Sequence, residues 1–262
     1  MARQFVQYAI KDRIAYVTID RPEVLNALHP PASEEMLGAF VEFRDDPDAL
    51  VAIVTGAGDR AFCAGNDLKY HAANVQPGEA YPGAETVPFA GITSEFTCWK
   101  PIIAAVNGYA VGGGLELAMA CDVIIAAENA MLGLPEPRVG LVGVAGGVQR
   151  LARQVPYKIA MGMMMTGRQI TAAEAHRWGL VNDVVPLAEL MATAEHWAAE
   201  IAECAPLSVR ATKQMATEGI NMHLDSAIGS RYEELERAVA SEDYVEGPRA
   251  FAEKRRPRWK GR

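Results

Sequence analysis

Residues 100–121, KPIIAAVNGYAVGGGLELAMAC, constrain the fold more than any other stretch of the chain. Positions 101–106 form a short apolar run with β-branched residues, the pattern of a strand buried on both faces. Asn107-Gly108 breaks the run as a turn dipeptide, and Gly112, Gly113 and Gly114 then lead into Leu115-Glu116-Leu117-Ala118, good helix formers. Glycines at a helix start carry no Cβ, so free N–H groups and the positive end of the helix dipole can approach a negative oxygen. Glu116 sits one turn in, close to such donors, where a carboxylate is a candidate acid or base. The same residues also describe a glycine turn packed under a neighbouring strand, with Glu116 serving only the helix N-terminus.

Upstream, residues 5–10 and 14–19 alternate apolar and polar side chains around Lys11-Asp12-Arg13, which reads as a hairpin. A helix is expected from about position 33 to 44, with Met36, Phe40 and Phe43 as its apolar stripe. Residues 50–54 and 61–64 read as short strands, and Gly65 turns the second into Asn66-Asp67-Leu68-Lys69. From His71 to Thr93 prolines and glycines make the sequence loop-like, which suits a segment that covers a substrate. Residues 122–127 and 131–134 read as further strands, and Pro135-Glu136-Pro137 fixes a carboxylate where ladder bonding fails. Strand ends separated by helices indicate an α/β protein whose ligand lies beyond the strand termini, where Glu116 and Glu136 can converge. Thr171-Ala172-Ala173-Glu174 fits a capping box, residues 181–185 make a last strand, and from Pro186 onward the chain reads as helices.

A chain of 262 residues with 50% hydrophobic and 22% charged side chains suits one large domain, or a domain with an appended helical part. Its net charge of -8 opposes binding to nucleic acid or anionic lipid, although six basic residues in the last nine form a local positive tail. No apolar run is long enough to span a bilayer and no leader pattern opens the sequence, which gives a cytoplasmic expectation. Cys63, Cys98, Cys121 and Cys204 lack close pairing or metal-ligand spacing, so reduced thiols and no metal are expected.

These features, in this order, resemble the crotonase superfamily, most closely its enoyl-CoA hydratases of the carnitinyl-CoA dehydratase type. The resemblance rests on RPEVLNAL at 21–28, AFCAGNDLK at 61–69, the stretch at 100–122, LPEPRVGL at 134–141, MTGRQITAAEAHRWGLVN at 165–182 and AFAEKRRPRWKGR at 250–262. It implies a spiral of ββα turns over residues 1–200 and a C-terminal helical trimerisation region over 201–262, assembled as a homotrimer or a hexamer of two trimers. It also implies an acyl-CoA substrate, with coenzyme A part of the substrate rather than a cofactor.

The same resemblance places the N–H groups of Asn66 and Gly113 around the thioester oxygen, and water between Glu116 and Glu136. In hydration Glu116 would deprotonate the water that attacks C3, and Glu136 would protonate C2. Val24, Leu25, Ala27, Ala64, Asp67 and Leu68 would bind the coenzyme A part, with Phe251 and Lys254 reaching the nucleotide of a neighbouring subunit. Two departures stand out: Glu23 replaces a usual basic residue, and Gly143-Val144 replaces a common Pro-Gly beside the expected water. Tyr70, Tyr81, Phe89, Phe96 and Trp99 are either loop anchors and core residues or a cage for a trimethylammonium group. A double-bond isomerase and a non-catalytic acyl-CoA-binding scaffold are the competing readings.

Overall fold

The computed structural model describes residues 3–79 and 86–262. Strands β1 (Val6–Lys11) and β2 (Ile14–Ile19) form the expected hairpin, with Lys11 opposite Ile14. Asp12 and Arg13 reverse the chain at φ 51° and 67°, the doubly left-handed backbone that matches strand twist. Helix α1 (Pro30–Asp45) follows, burying Met36, Phe40 and Phe43 as its stripe predicts. It starts three residues before the expected position, because Pro30 and Pro31 occupy sites needing no N–H and the His29 ring accepts from the Ala32 N–H at 3.4 Å.

Three similar passages then build the centre. Strands β3 (Val51–Gly56) and β4 (Ala61–Cys63) lead into α2 (Leu68–Asn74). Strands β5 (Ile102–Val106) and β6 (Tyr109–Val111) lead into α3 (Gly113–Ala120). Strands β7 (Val123–Ala127) and β8 (Met131–Gly133) lead into a single 3-10 turn at Glu136–Val139. Helices α4 (Gly147–Gln154) and α5 (Tyr157–Thr166), strand β9 (Gln169–Thr171), helix α6 (Ala172–Arg177) and strand β10 (Asp183–Val185) come next. The chain ends in α7 (Leu190–Ala202), α8 (Pro206–Gly219), α9 (Leu224–Gly229), α10 (Glu233–Val239) and α11 (Asp243–Ala252).

One sheet has the order β1-β2-β3-β5-β7-β10 and the other β4-β6-β8-β9. Beyond the hairpin the large sheet is parallel, as are β4, β6 and β8, while β9 closes the small sheet antiparallel. Each central strand pair therefore gives one strand to each sheet before a helical segment brings the chain back. This is the spiral of ββα turns expected above. The large sheet is buried on both faces: Ala52, Val54, Ala104 and Ala126 join the cluster under α1 and α3, while Ile53, Ile103 and Ile125 meet Leu190, Ala194 and Ala198 of α7.

Several elements differ from the sequence reading. Residues expected to begin a long loop at His71 belong to α2, which Asp67 opens by accepting from the Tyr70 N–H at 3.2 Å. No α2 side chain is fully buried, so its pattern lacked the apolar stripe that marks a helix. Strands β6 and β9 were not expected; three residues are too few to show alternation. Tyr81 lies outside the described residues. The capping box at Thr171 and Glu174 forms as expected.

Helix α3 lies so close to β4 that a Cβ on Gly114 would overlap the Cys63 carbonyl. Overpacking of this kind costs about 1–3 kcal/mol, and more where the neighbour is main chain. Gly114→Ala should therefore lower unfolding free energy by about 3 kcal/mol or more in chemical denaturation; a wild-type midpoint would contradict the close approach.

Candidate active site

Three neighbouring parallel strands of the small sheet, β4, β6 and β8, end at one cavity of about 220 Å³. Ala64 and Asn66 follow β4, Gly112 and Gly113 follow β6, Pro135 and Glu136 follow β8, and all six line the cavity. Side chains and amides far apart in sequence thus meet because parallel pairing aligns the three C-terminal strand ends. Glu116, one turn into α3, and Leu68 and His71 of α2 complete the polar and near walls, with Phe89, Val139, Leu141, Val142 and Val144 opposite.

Asn66 and Gly113 both line this cavity. Gly113 is the first residue of α3, where an N–H has no partner within the helix. Gly65 presses against it, since a Cβ there would lie 2.9 Å from the Gly113 nitrogen, and its φ of 87° turns the chain so that Asn66 follows beside Gly112-Gly113. Residues 25–28 brace this turn from outside: Ala64 N–H donates to Leu25 O at 3.0 Å, Leu28 N–H to Gly65 O at 2.8 Å, and Asp67 N–H to Leu28 O at 2.8 Å. Among the described main-chain bonds outside helices and strands, neither the Asn66 nor the Gly113 N–H has an acceptor. The Asn66 side chain meets His71 Nδ1 at 3.1 Å, leaving its buried Oδ1 unpartnered.

Glu116 and Glu136 are 4% and 9% exposed. Their Oε1 atoms lie 3.4 and 3.5 Å from the point where a Cβ on Gly143 would sit, so both reach the same small volume. Burial pushes the Glu116 carboxyl up to about 7, with Glu136 adding to the rise and the N–H groups of Gly147 and Ala145 opposing it. The Gly147 bond is 2.8 Å long. Burial also raises Glu136, whose Oε2 has no hydrogen-bond partner. A buried cavity wall with two carboxyls and two amides that lack main-chain acceptors can hold a developing oxyanion while one proton is taken and another given.

The structure does not bring every expected residue to this cavity. Ala64 and Leu68 line it; Val24, Leu25 and Ala27 lie in the bracing segment behind it, and Asp67 caps α2 and pairs with Arg21 at 3.2 Å. Phe251, 87% exposed, and Lys254 stand at the end of α11 and line none of the cavity within one chain. Of the four described aromatic residues among those weighed as a cage, Phe89 lines the cavity with the carboxyls; Tyr70 lines a neighbouring cavity, Phe96 packs on Phe40, and Trp99 lines a separate groove. The Val144 N–H donates to Val142 O at 2.8 Å, closing a γ-turn on Gly143, so this amide beside the carboxyls is engaged within its own loop. His71 was missed by sequence reading, although Asp67 as a cap would have put Leu68 and His71 one turn apart on one helix face.

Because the folded Glu116 holds its proton more tightly than an unfolded carboxyl near 4.5, its contribution to stability is full below that pH and is lost as pH rises through about 7. Ionisation at the buried site therefore costs on the order of 3 kcal/mol. Glu116→Gln keeps an oxygen for the Gly147 N–H and should be more stable than wild type at pH 8.5, with the gap closing at pH 4. Denaturation midpoints at both pH values test this; an equal gap at both would refute the burial effect.

A family model described as enoyl-CoA hydratase/isomerase matches residues 9–262. Over 266 residues the chain is 46% identical to a carnitinyl-CoA dehydratase of Proteus mirabilis, covering 99% of both. Against one from Salmonella typhi it is 46% identical over 257 residues, covering 95% of each. An enoyl-CoA hydratase structure from Mycobacterium tuberculosis superposes with a TM-score of 0.88 at 39% identity over 98% of this chain and 99% of that one. Another from Bacillus anthracis gives 0.89 at 34% identity, over 99% and 100%. With the strand-end cavity and its paired carboxyls already in view, these likenesses settle the family: the chain belongs to the enoyl-CoA hydratases/isomerases.

Proposed function

We propose that the protein is a hydro-lyase that adds water to, or removes it from, the C2–C3 bond of an acyl-CoA thioester. The observation that carries this reading is the shared volume reached by Glu116 and Glu136 within 3.5 Å, on the wall where Asn66 and Gly113 present their amides. As water adds at C3, electrons move toward the thioester oxygen, and amides already aimed at it stabilise the enolate-like state more than the ground state. Glu116 takes the proton of the attacking water and Glu136 gives one to C2. Elimination runs these transfers backward, with Glu136 removing the C2 proton and Glu116 protonating the departing hydroxyl.

Either direction needs the pair to carry a single proton, and two buried carboxyls within reach of one site resist ionising together. The coenzyme A part would run past residues 24–28, Ala64 and Leu68. Phe251 and Lys254 would approach it from another subunit, a role suited to side chains that stand out from their own chain. Exposed Ile220, Leu224, Ile228 and Tyr244 on the last helices and their links suit packing against further copies, as a trimer or a pair of trimers. No helix among the described residues is long and apolar enough to cross a membrane. A cytoplasmic location suits the free thiols of Cys63, Cys98 and Cys121 in the core.

The 46% identity to carnitinyl-CoA dehydratases makes crotonobetainyl-CoA the first substrate to try beside crotonyl-CoA. Glu116→Gln and Glu136→Gln should each lower kcat for hydration by about 10²–10⁴-fold with the fold intact. Wild-type turnover in either variant would remove the paired-carboxyl assignment. Equal kcat/KM for the two acyl groups would remove the carnitine preference, and a shifted double bond without incorporation of isotopic water would identify an isomerase.

A further inference from the structure

The loop that pins Glu116 is itself held by a cation outside the cavity. Arg150, on α4, lines the groove on the opposite side, beside Arg153 and Asp122, and is absent from the cavity wall. Its Nη1 turns inward and donates to the Ala145 carbonyl at 3.3 Å, while its own N–H donates to Gly146 O at 2.8 Å. Gly146, at φ 92°, passes so close that a Cβ there would overlap the guanidinium. Gly147, whose N–H bonds the Glu116 carboxyl at 2.8 Å, follows that glycine, and Ala145, whose N–H also favours the ionised carboxyl, precedes it. The guanidinium therefore bonds the start of the turn that sets the carboxyl and packs against its middle residue, Gly146.

We propose that Arg150 is a positioning residue for Glu116, fixing residues 145–147 so that their N–H groups stay on the carboxyl and placing a positive charge behind it. The inference rests on the hydro-lyase reading and extends it to a residue that never meets substrate. The groups that face Glu116 are few. Glu136 comes from the turn after β8, His71 lines the same cavity from α2, and Arg150 comes from α4. Cys63 of β4 and Cys121 at the end of α3 remain protonated, burial pushing Cys63 up to about 12 and raising Cys121 as well. Arg150 is thus the permanent cation of the set, favouring the ionised Glu116 that hydration requires.

Replacing the guanidinium by groups that keep one of its two properties separates clamp from charge. Arg150→Gln retains a donor for Ala145 O without charge; the acid limb of kcat/KM for hydration should move upward by about one pH unit, with KM unchanged. Arg150→Lys retains the charge and should leave that limb in place while kcat falls severalfold through the looser clamp. A limb unmoved in Arg150→Gln, a change confined to KM, or equal losses in both variants without movement of the limb would overturn the proposal. Absence of hydration by the wild-type enzyme would instead refute the hydro-lyase reading, so the two failures are told apart.

Discussion

The packing of α3 onto the end of β4, closer than any side chain would allow, is the contact on which the rest of this site depends. Gly114 lies under the Cys63 carbonyl and Gly65 against the Gly113 nitrogen, so two strand ends approach as bare main chain. This approach brings two amides from loops almost fifty residues apart to the wall of one cavity. Phe89 seals the outer side, since a Cβ on Gly113 would overlap its ring. The glycines are thus required by geometry at both faces of the amide pair, and their poor helix propensity is offset by the packing of the fully buried Leu115 and Leu117 that follow.

Burial then works against stability and for chemistry at once. A carboxyl deep in the protein costs free energy when ionised, and two of them cost more. Glu116 is partly compensated by amide donors and a distant guanidinium; Glu136 keeps an unpartnered oxygen. An optimally stable core would place neither residue there. In the proposed reaction, unequal compensation would let one member hold a proton while its neighbour accepts one, whereas two fully satisfied carboxylates would both be fixed as bases.

Much of this was legible in the sequence where an element is long or chemically singular. The β5–α3 stretch, the stripe of α1 and the capping box at Thr171 each carry several agreeing signals. Strands β6 and β9 left no periodicity because three residues make a strand only when a neighbour supplies the ladder. The pairing of Glu116 with Glu136 was suggested by strand ends, but their shared volume depends on Gly143, whose position no spacing rule gives. His71 and Arg150 were missed for different reasons: one sits on a helix with no buried stripe, the other looks like an ordinary surface cation on an amphipathic turn.

The Gly143-Val144 pair shows why a motif can be altered while the chemistry beside it survives. Where relatives commonly place Pro-Gly, this chain closes a γ-turn by joining the Val144 N–H to Val142 O, so that amide is committed within the loop. The amide bonded to Glu116 comes later, from Gly147, and does not depend on position 144. In the proposed hydration, orientation of the attacking water would fall to the two carboxyls, whose Oε1 atoms converge over Gly143. Tight placement of those carboxyls matters more here than in a site with a third hydrogen bond to share the task, and this is why the loop that holds Glu116 is anchored from behind as well as from within.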